Sequence, residues 1–253
     1  MRVVITGASS GLGEALARHY ARADSTLGLI ARREAALEAL AASLPGRCAT
    51  YPLDVADGTA LERAAADFVG RFGPPELVIA NAGVSVGTHG DEPPDMAKLR
   101  RLLEVNTLGL AATLAAFAPA MRAAGRGTLV GVASVAGFRG LPGAGAYSAS
   151  KAAAITWLES LRCELRGSGL DVVTVCPGYV DTPMTRVNPY RMPFLLSADD
   201  AATRIARAIA ARRRLAVIPW QMALVSMLLR ALPGWLYERL AARAPRKPRD
   251  IQV

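Results

Sequence analysis

The stretch RVVITGASSGLG, residues 2–13, decides the fold, because it places a glycine-rich turn directly after a short β-branched run. The residues that follow, Glu14 to Arg22, carry apolar side chains at helical spacing. A strand, a tight turn and a helix in this order are typical of the first unit of a doubly wound α/β sheet. The free N–H groups at the start of such a helix favour an anion such as pyrophosphate, although a turn of this kind that binds nothing is the alternative.

The same alternation continues along most of the chain. Predicted strands cover residues 2–6, 26–31, 48–54, 77–80, 128–133, 172–176 and 215–218. Predicted helices cover residues 14–22, 34–43, 59–72, 95–121, 145–166 and 198–213. Strands that are joined through helices pair in parallel by right-handed crossovers. We therefore expect one doubly wound α/β domain, residues 1–219, with a seven-stranded parallel sheet and helices on both faces.

The composition is that of a globular protein. The 253 residues are 52% hydrophobic and 20% charged, and 30 Lys and Arg against 21 Asp and Glu give a formal charge of +9. These values exclude disordered, collagen-like and coiled-coil chains. Because the basic residues are spread along the chain and no nucleic-acid-binding motif accompanies them, we interpret the charge as a solvated surface and expect no nucleic-acid partner. The densest basic cluster is Arg239, Arg243, Arg246, Lys247 and Arg249.

Cysteine usage and hydrophobic runs bear on the compartment. The three cysteines, Cys48, Cys163 and Cys176, lie far apart, and an apolar strand follows directly after Met1 and Arg2. We therefore expect no disulfide framework, no signal peptide and a cytoplasmic location. The longest uncharged stretch, residues 105–121, is shorter than the roughly 18 apolar residues of a membrane span, so we predict no transmembrane segment.

The end of the second predicted strand indicates the form of the dinucleotide. In doubly wound dinucleotide folds an acid at this position binds the ribose hydroxyls of NAD, whereas arginine accommodates the 2′-phosphate of NADP. Here the strand TLGLIA is followed by Arg32 and Arg33, and the first acid is Glu34. Guanidinium groups bind phosphate as charged forks, so we predict NADP(H) with both arginines on the 2′-phosphate. The alternative is that the two arginines begin a helix and face water.

Six motifs in order carry a family resemblance over residues 1 to about 185. They are TGASSGLG at 6–13, NAG at 81–83, Asn106 in the next helix, Ser134 after the fifth strand, YSASK at 147–151, and PGYVDTPM at 177–184. Each motif alone is weak, but the ordered set resembles the short-chain dehydrogenase/reductase family. The resemblance implies a Rossmann-type domain that transfers a hydride between a nicotinamide dinucleotide and a carbonyl or secondary alcohol.

The chemistry of carbonyl reduction gives reasons for three of these residues. The alkoxide that forms needs a hydrogen-bond donor and a proton source. Tyr147 would supply the proton, although an ordinary phenol has a pKa of about 10. Lys151 lies at i+4 on the same helix face, so we expect its ammonium to lower the pKa of Tyr147. Ser134 follows a strand at the carboxyl edge of the sheet, where its hydroxyl would orient the carbonyl.

The resemblance assigns further roles. It implies that Asn106 holds a water that connects Lys151 to solvent, whereas from the residues alone Asn106 would cap or interrupt a helix. It also implies that Asp54 lies near the adenine ring, that Asn81 lies under the adenosine ribose and that the chain is a homodimer or homotetramer. The predicted cofactor-binding residues are Gly7, Ser9, Ser10, Gly11, Leu12, Gly13, Arg32, Arg33, Asp54, Val55, Asn81, Ala82, Gly83, Tyr147, Lys151, Pro177, Gly178, Val180 and Thr182.

Residues 179–197 lie outside the alternation and are rich in methionine, proline and aromatic residues. In the family that the chain resembles, this segment is a mobile lid over the substrate. Its composition here indicates a lipophilic carbonyl or alcohol, and packing within the lid itself is an equal alternative. The apolar lid residues are Met184, Tyr190, Met192, Phe194, Leu195 and Leu196.

Residues 220–253 are predicted as a helical C-terminal extension. Apolar residues recur at intervals of three and four, and Pro233-Gly234 divides two amphipathic pieces. Such helices could lie on an anionic membrane surface, cover the substrate pocket or pack against a partner subunit. We favour packing within the chain or against a subunit.

Other functions fit the sequence less well. His19 and His89 belong to no recognisable metal cluster or nucleophile–base pair, so we expect no metal and no covalent intermediate. A non-catalytic NADP(H)-binding sensor or scaffold would not need Ser134, Tyr147 and Lys151 together. A third alternative is a peripheral membrane-surface or nucleic-acid-binding protein with an idle fold, which salt-sensitive binding without carbonyl reduction would indicate.

Overall fold

A seven-stranded sheet is the centre of the computed structural model, which describes residues 1–249. The strands are β1 (Arg2–Thr6), β2 (Thr26–Ala31), β3 (Arg47–Pro52), β4 (Leu77–Ala80), β5 (Gly127–Val132), β6 (Leu170–Pro177) and β7 (Leu215–Ile218). Their order is β3-β2-β1-β4-β5-β6-β7, and every neighbouring pair is parallel. The predicted doubly wound parallel sheet is confirmed.

The described residues form ten α-helices. They are α1 (Gly11–Tyr20), α2 (Glu34–Ser43), α3 (Gly58–Phe72), α4 (Asp95–Leu103), α5 (Leu110–Ala123), α6 (Gly145–Glu164), α7 (Pro183–Arg186), α8 (Ala198–Ala210), α9 (Trp220–Ala231) and α10 (Gly234–Ala241). Helix starts follow capping chemistry where the sequence offers it, since the Asp57 carboxylate accepts from the Ala60 N–H and the Ser197 hydroxyl accepts from the Asp200 N–H.

Most predicted elements agree with the structure to within three residues at each end, and two of them differ at residues of the predicted site. The helix predicted over 95–121 is two α-helices joined by a π-helical turn, Glu104–Gly109, because Asn106 in that turn bonds outside its own helix. The strand predicted to reach Asp54 ends at Pro52, because the Asp54 carboxylate accepts from the Ala56 N–H and turns the chain away from the sheet. Both corrections concern residues of the predicted site.

Helices cover both faces of the sheet. Alternate β1 residues divide between the two sides: Val3 and Ile5 belong to the core cluster that includes α1, α2 and α8, and Val4 belongs to the cluster that includes α3, α5 and α6. A Cβ atom on Gly131 would lie 2.4 Å from a Leu158 methyl carbon, so the glycine lets α6 pack close to β5. This close packing brings Lys151 of α6 up to the sheet.

Successive strands are added toward one edge of the sheet from β1 to β3 and toward the other edge from β4 to β7, so the topological switch point lies between β1 and β4. Ligands of doubly wound sheets bind at this point, outside the carboxyl ends of the strands. Among residues 1–249, the helical stretch Asp95–Ala123 beside the switch point is long enough and apolar enough in composition to cross a membrane. Here Val105, Leu114 and Phe117 from this stretch pack into the core beneath the sheet.

The C-terminal extension divides at Pro233-Gly234 as predicted, into α9 and α10. Its inner side packs on the domain: the Tyr237 hydroxyl donates to the Gly140 carbonyl, and the Arg139 guanidinium donates to the Leu232 carbonyl. The chain then returns to the loop after β4, where the Gly87 N–H donates to the Pro248 carbonyl at 2.9 Å. The last four residues of the predicted extension, 250–253, lie outside the described residues.

Candidate active site

The glycine-rich turn leaves the start of α1 open to an anion. Ser10 is the N-cap residue of α1, and its side chain makes no capping hydrogen bond, so the first N–H groups of the helix remain available. Gly7 and Gly11 have φ of +68° and +56°, which favour glycine. A Cβ atom on Gly11 would lie 3.0 Å from the Thr182 side chain, so side chains on this turn would narrow the gap through which a pyrophosphate passes.

The loop after β4 is tied to the end of β1. The Thr6 hydroxyl accepts from the Asn81 and Ala82 N–H groups, each at 3.0 Å. The Asn81 side-chain amide donates to the Thr6 carbonyl, also at 3.0 Å. These bonds hold the NAG motif against the glycine-rich turn, although 75 residues separate the two in sequence.

One cavity of about 590 Å³ runs along the carboxyl edge of the sheet. All the predicted cofactor-binding residues line it, together with Ser134. Asn106 is the one predicted site residue that does not line the cavity. The cavity therefore joins the glycine turn at one end with Ser134, Tyr147 and Lys151 at the other.

The two arginines after β2 differ in their surroundings. Arg33 donates to the Ser9 hydroxyl and carbonyl at 3.0 to 3.3 Å, so it braces the glycine-rich turn. Arg32 also lines the cavity and makes no hydrogen bond or ion pair with any other part of residues 1–249. Its guanidinium is thus the one of the pair that is free to meet a phosphate.

Asp54 is held by an arginine that the sequence analysis did not identify. The Arg101 guanidinium of α4 forms an ion pair with the Asp54 carboxylate at 2.5 Å and also lines the cavity. Burial acts to raise the pKa of Asp54, but hydrogen bonds from Ala56 and Arg101 and the positive charges of Arg101 and Arg32 hold it below its usual value. Nothing in the local sequence of α4 signals this contact, because it depends on how α4 packs across the cavity.

The three residues predicted to carry out the chemistry lie together at the carboxyl end of β5. Lys151 is buried, and its ammonium donates to the Val132 carbonyl at 2.9 Å and lies 6.0 Å from the centre of the Tyr147 ring. No carboxylate pairs with Lys151 among the ion pairs of residues 1–249, and burial lowers its pKa to about 8. Ser134 caps a short 3₁₀ turn, Val135–Gly137, by accepting from the Ala136 N–H at 3.1 Å.

The pKa of Tyr147 differs from the prediction. In the chain by itself, burial raises this pKa above the ordinary phenol value, and the neighbouring Ser134 hydroxyl offsets part of the increase. The predicted lowering by Lys151 does not outweigh burial, and the Lys151 ammonium donates to the Val132 carbonyl and lies 6.0 Å from the centre of the Tyr147 ring. Tyr147 is therefore protonated at neutral pH and can act as a proton donor.

Asn106 lies outside the cavity and connects the loop after β4 to α6. It is fully buried, its side-chain oxygen accepts from the Val84 N–H at 2.8 Å, and its amide donates to the Val84 carbonyl and to the Ser150 hydroxyl. A Cβ atom on Gly83 would lie 3.1 Å from the Asn106 oxygen and 3.4 Å from the Lys151 nitrogen, so the glycine lets both residues approach the loop. Asn106 interrupts a helix, which was one of the two alternatives; its water-holding role stays a prediction.

Two further features lie near the three catalytic candidates. Cys176 of β6 is buried beside Lys151 and the Ser134 backbone, and burial raises the pKa of its thiol to about 12. Of the apolar lid residues only Met184 lines the cavity, where Val187 joins it. Phe194 and Leu195 are exposed instead, because the bridge between Val180 and Leu196 folds the second half of the lid away from the opening.

The arrangement can protonate an oxygen and stabilise negative charge on it. The Tyr147 hydroxyl can donate the proton, and the Ser134 hydroxyl can be a second donor to the same oxygen. The glycine-rich turn, Arg32 and the length of the cavity fit a dinucleotide phosphate at one end and a nicotinamide beside Tyr147 at the other. A nicotinamide bound there would supply or accept the hydride. Lys151 would add positive charge to this end of the cavity below a pH of about 8.

Comparisons with known proteins agree with this geometry. The model of the short chain dehydrogenase family matches residues 1–191. An uncharacterized oxidoreductase from Myxococcus xanthus is 41% identical over 245 residues, which cover 95% of this chain and 96% of that protein.

Solved structures extend the agreement to the fold. A short chain dehydrogenase/reductase from Burkholderia phymatum in complex with NAD matches with a TM-score of 0.82 at 27% identity, covering 100% of this chain and 98% of the other. An alcohol dehydrogenase from the archaeon Thermococcus sibiricus complexed with 5-hydroxy-NADP matches with a TM-score of 0.74 at 28% identity, covering 86% and 94% of the two chains. The family model spans most of the chain, and the relative spans nearly all of it. This chain belongs to the short-chain dehydrogenase/reductase family of oxidoreductases.

Proposed function

We propose that the chain is an NADP(H)-dependent oxidoreductase that interconverts a lipophilic carbonyl compound and its secondary alcohol. The observation that carries the proposal is the single cavity that joins the glycine-rich turn to Ser134, Tyr147 and Lys151. A non-catalytic sensor or scaffold would need only the glycine-rich turn, to bind the dinucleotide. Because the pKa of Tyr147 lies above neutral pH, its hydroxyl carries a proton that it can donate to a carbonyl oxygen.

The preference for NADP(H) rests on Arg32. Its guanidinium lines the cavity at the carboxyl end of β2 and has no hydrogen-bond or ion-pair partner within the described part of the chain, and no acidic residue lies between the end of β2 and Glu34. The solved relatives contain either an NAD or an NADP form, so the family alone does not choose between them. A free guanidinium at this position favours a 2′-phosphate.

The proposal of a lipophilic substrate rests on apolar residues of the cavity wall. Val84, Val105, Met184 and Val187 line the cavity, and the ammonium of Lys151 is engaged with the Val132 carbonyl. These walls favour an apolar group next to the reacting carbon. We also propose a cytoplasmic homo-oligomer, whose mass analytical ultracentrifugation would measure.

Cofactor binding is tested by titrating the purified protein with NADPH and with NADH and following the fluorescence of the reduced nicotinamide. Loss of one charge-assisted contact predicts that Arg32→Ala weakens NADPH binding by about 10- to 100-fold and changes NADH binding by about twofold at most. Arg63→Ala is the matched control, since Arg63 is an exposed arginine of α3 outside the cavity. Equal loss for both nucleotides, or none for either, would contradict the role of Arg32.

Turnover is tested with ketones and aldehydes of increasing hydrophobicity and the preferred cofactor. The proposal predicts that kcat/KM rises with the apolar area of the substrate. A protein that binds NADPH but reduces none of these compounds would refute the enzymatic assignment, while a preference for small charged aldehydes would refute only the lipophilic substrate.

A further inference from the structure

Helix α9 is apolar on its outer side as well as its inner side. Met222 and Ser226 are buried against the domain, whereas Trp220, Leu224, Met227 and Leu228 are 57–67% exposed. These exposed residues follow positions i, i+4, i+7 and i+8, so they form one stripe along the outer face. A surface helix normally presents polar residues to water on that side. The stripe therefore needs a covering partner that residues 1–249 do not supply.

Helix α10 continues this surface and adds positive charge. Trp235 is 67% exposed, and Arg239 follows it at i+4 on the same face, while Tyr237 points inward to Gly140. Arg243 lies one further turn along, in the residues just after the helix. We call the exposed side of α9 and α10 the outer helical face; it consists of Trp220, Leu224, Met227, Leu228, Trp235, Arg239 and Arg243.

The charges of this region are almost all positive. Residues 220–249 contain six arginine and lysine residues and one acidic residue, Glu238. Arg249 is paired with Glu92 and Asp95 of the domain, but Arg239 and Arg243 make no ion pair with any residue from 1 to 249. An anionic bilayer surface has an apolar interior below negatively charged headgroups. The apolar side chains and tryptophans of the outer helical face match the interior, and the unpaired arginines match the headgroups.

A second copy of the chain fits this face less well. A twofold interface brings the same patch of each subunit together. Two copies of the face would bring Arg239 and Arg243 of each subunit into one interface, and each face offers only Glu238 to offset this positive charge. Like charges at close range oppose such a contact, whereas anionic headgroups remove the repulsion.

We propose that the outer helical face docks the protein on an anionic lipid surface. The bilayer covers Trp220, Leu224, Met227, Leu228 and Trp235, and the headgroups neutralise the two arginines. This docking adds a binding surface to the oxidoreductase and does not depend on its cofactor or substrate. It also places α9 at the membrane, and Met222 of α9 contacts Gly178 in the cavity wall, so a lipophilic substrate of the proposed function would meet the cavity close to the bilayer.

The test is co-sedimentation of the full chain with vesicles of phosphatidylcholine alone and of phosphatidylcholine mixed with phosphatidylglycerol. We expect binding to the mixed vesicles that falls as salt is raised. Leu224→Gln with Leu228→Gln should weaken the partition coefficient about tenfold or more, because two side chains lose their transfer from water. Leu215→Gln is the control, since Leu215 is an exposed leucine at the amino end of β7, whereas α9 follows the carboxyl end of that strand. Thermal unfolding establishes that each variant folds.

A second readout locates the contact. The chain has three tryptophans, and in Trp157→Phe the remaining two, Trp220 and Trp235, both lie on the outer helical face. Brominated lipids should quench the fluorescence of that variant on vesicle binding. Absence of vesicle binding, binding that the double leucine variant keeps in full, or a leucine-dependent dimer in ultracentrifugation without vesicle binding would each overturn the proposal. None of these results depends on turnover, so failure of the docking and failure of the proposed function are distinguishable.

Discussion

Replacing Gly13 by alanine tests how tightly the glycine-rich turn is assembled. A Cβ atom at this position would lie 2.1 Å from the Gly7 carbonyl oxygen and 2.6 Å from the Asn81 amide nitrogen. The first of these atoms is backbone, so α1 or the turn must move. Overpacking of this kind costs about 1–3 kcal/mol, and alanine gains back up to about 1 kcal/mol of helix propensity. We expect Gly13→Ala to lower the free energy of unfolding by about 2 kcal/mol.

The matched variant is Gly70→Ala in α3, where an added Cβ would meet no atom within 4 Å. Only the higher helix propensity of alanine acts at this position, so we expect a gain of up to about 1 kcal/mol in the free energy of unfolding. Urea denaturation followed by circular dichroism measures both changes, and NADPH titration should show weaker binding for Gly13→Ala alone. Equal stability of the two variants, with unchanged NADPH affinity, would refute the close contact between Gly13, Gly7 and Asn81.

Three further results are expected. Tyr147→Phe should reduce kcat by about 10²- to 10⁴-fold while NADPH affinity changes by about twofold at most, and retained turnover would exclude Tyr147 as the proton donor. Burial lowers the pKa of Lys151 to about 8 in the folded chain from an ordinary value of about 10.5, so the unfolded chain binds more protons between these two pH values. The stability of the wild type relative to Lys151→Met should therefore rise by up to about 3 kcal/mol from about pH 8 to about pH 10.5, and a flat or falling difference would show that the ammonium is not destabilised by burial. Iodoacetamide should alkylate exposed Cys163 in the native protein and reach buried Cys176 only after unfolding, as peptide mass spectrometry would show.

The alternation of strands and helices was predictable because it follows from the local periodicity of apolar residues. The short β-branched runs, the helical spacings between them and the glycine turn each act over a few residues, and parallel order follows from the crossover rule. The spacing of Tyr147 and Lys151 is likewise a property of one helix, α6. Most of the cavity wall could therefore be named in advance, since the carboxyl ends of parallel strands share one edge.

Contacts between distant elements were decided by the tertiary structure. The ion pair of Asp54 with Arg101 depends on how α4 crosses the cavity, and the split of the lid depends on the bridge between Val180 and Leu196. The raised pKa of Tyr147 is the clearest case, because spacing along a helix brings Lys151 to the same face but the close packing of α6 on β5 directs its ammonium to the Val132 carbonyl. Periodicity determines which side of an element is apolar. Only tertiary packing determines which atoms are buried and which partners they contact. Burial and pairing shift the pKa of a group. Tertiary packing also determines that the outer side of α9 stays uncovered.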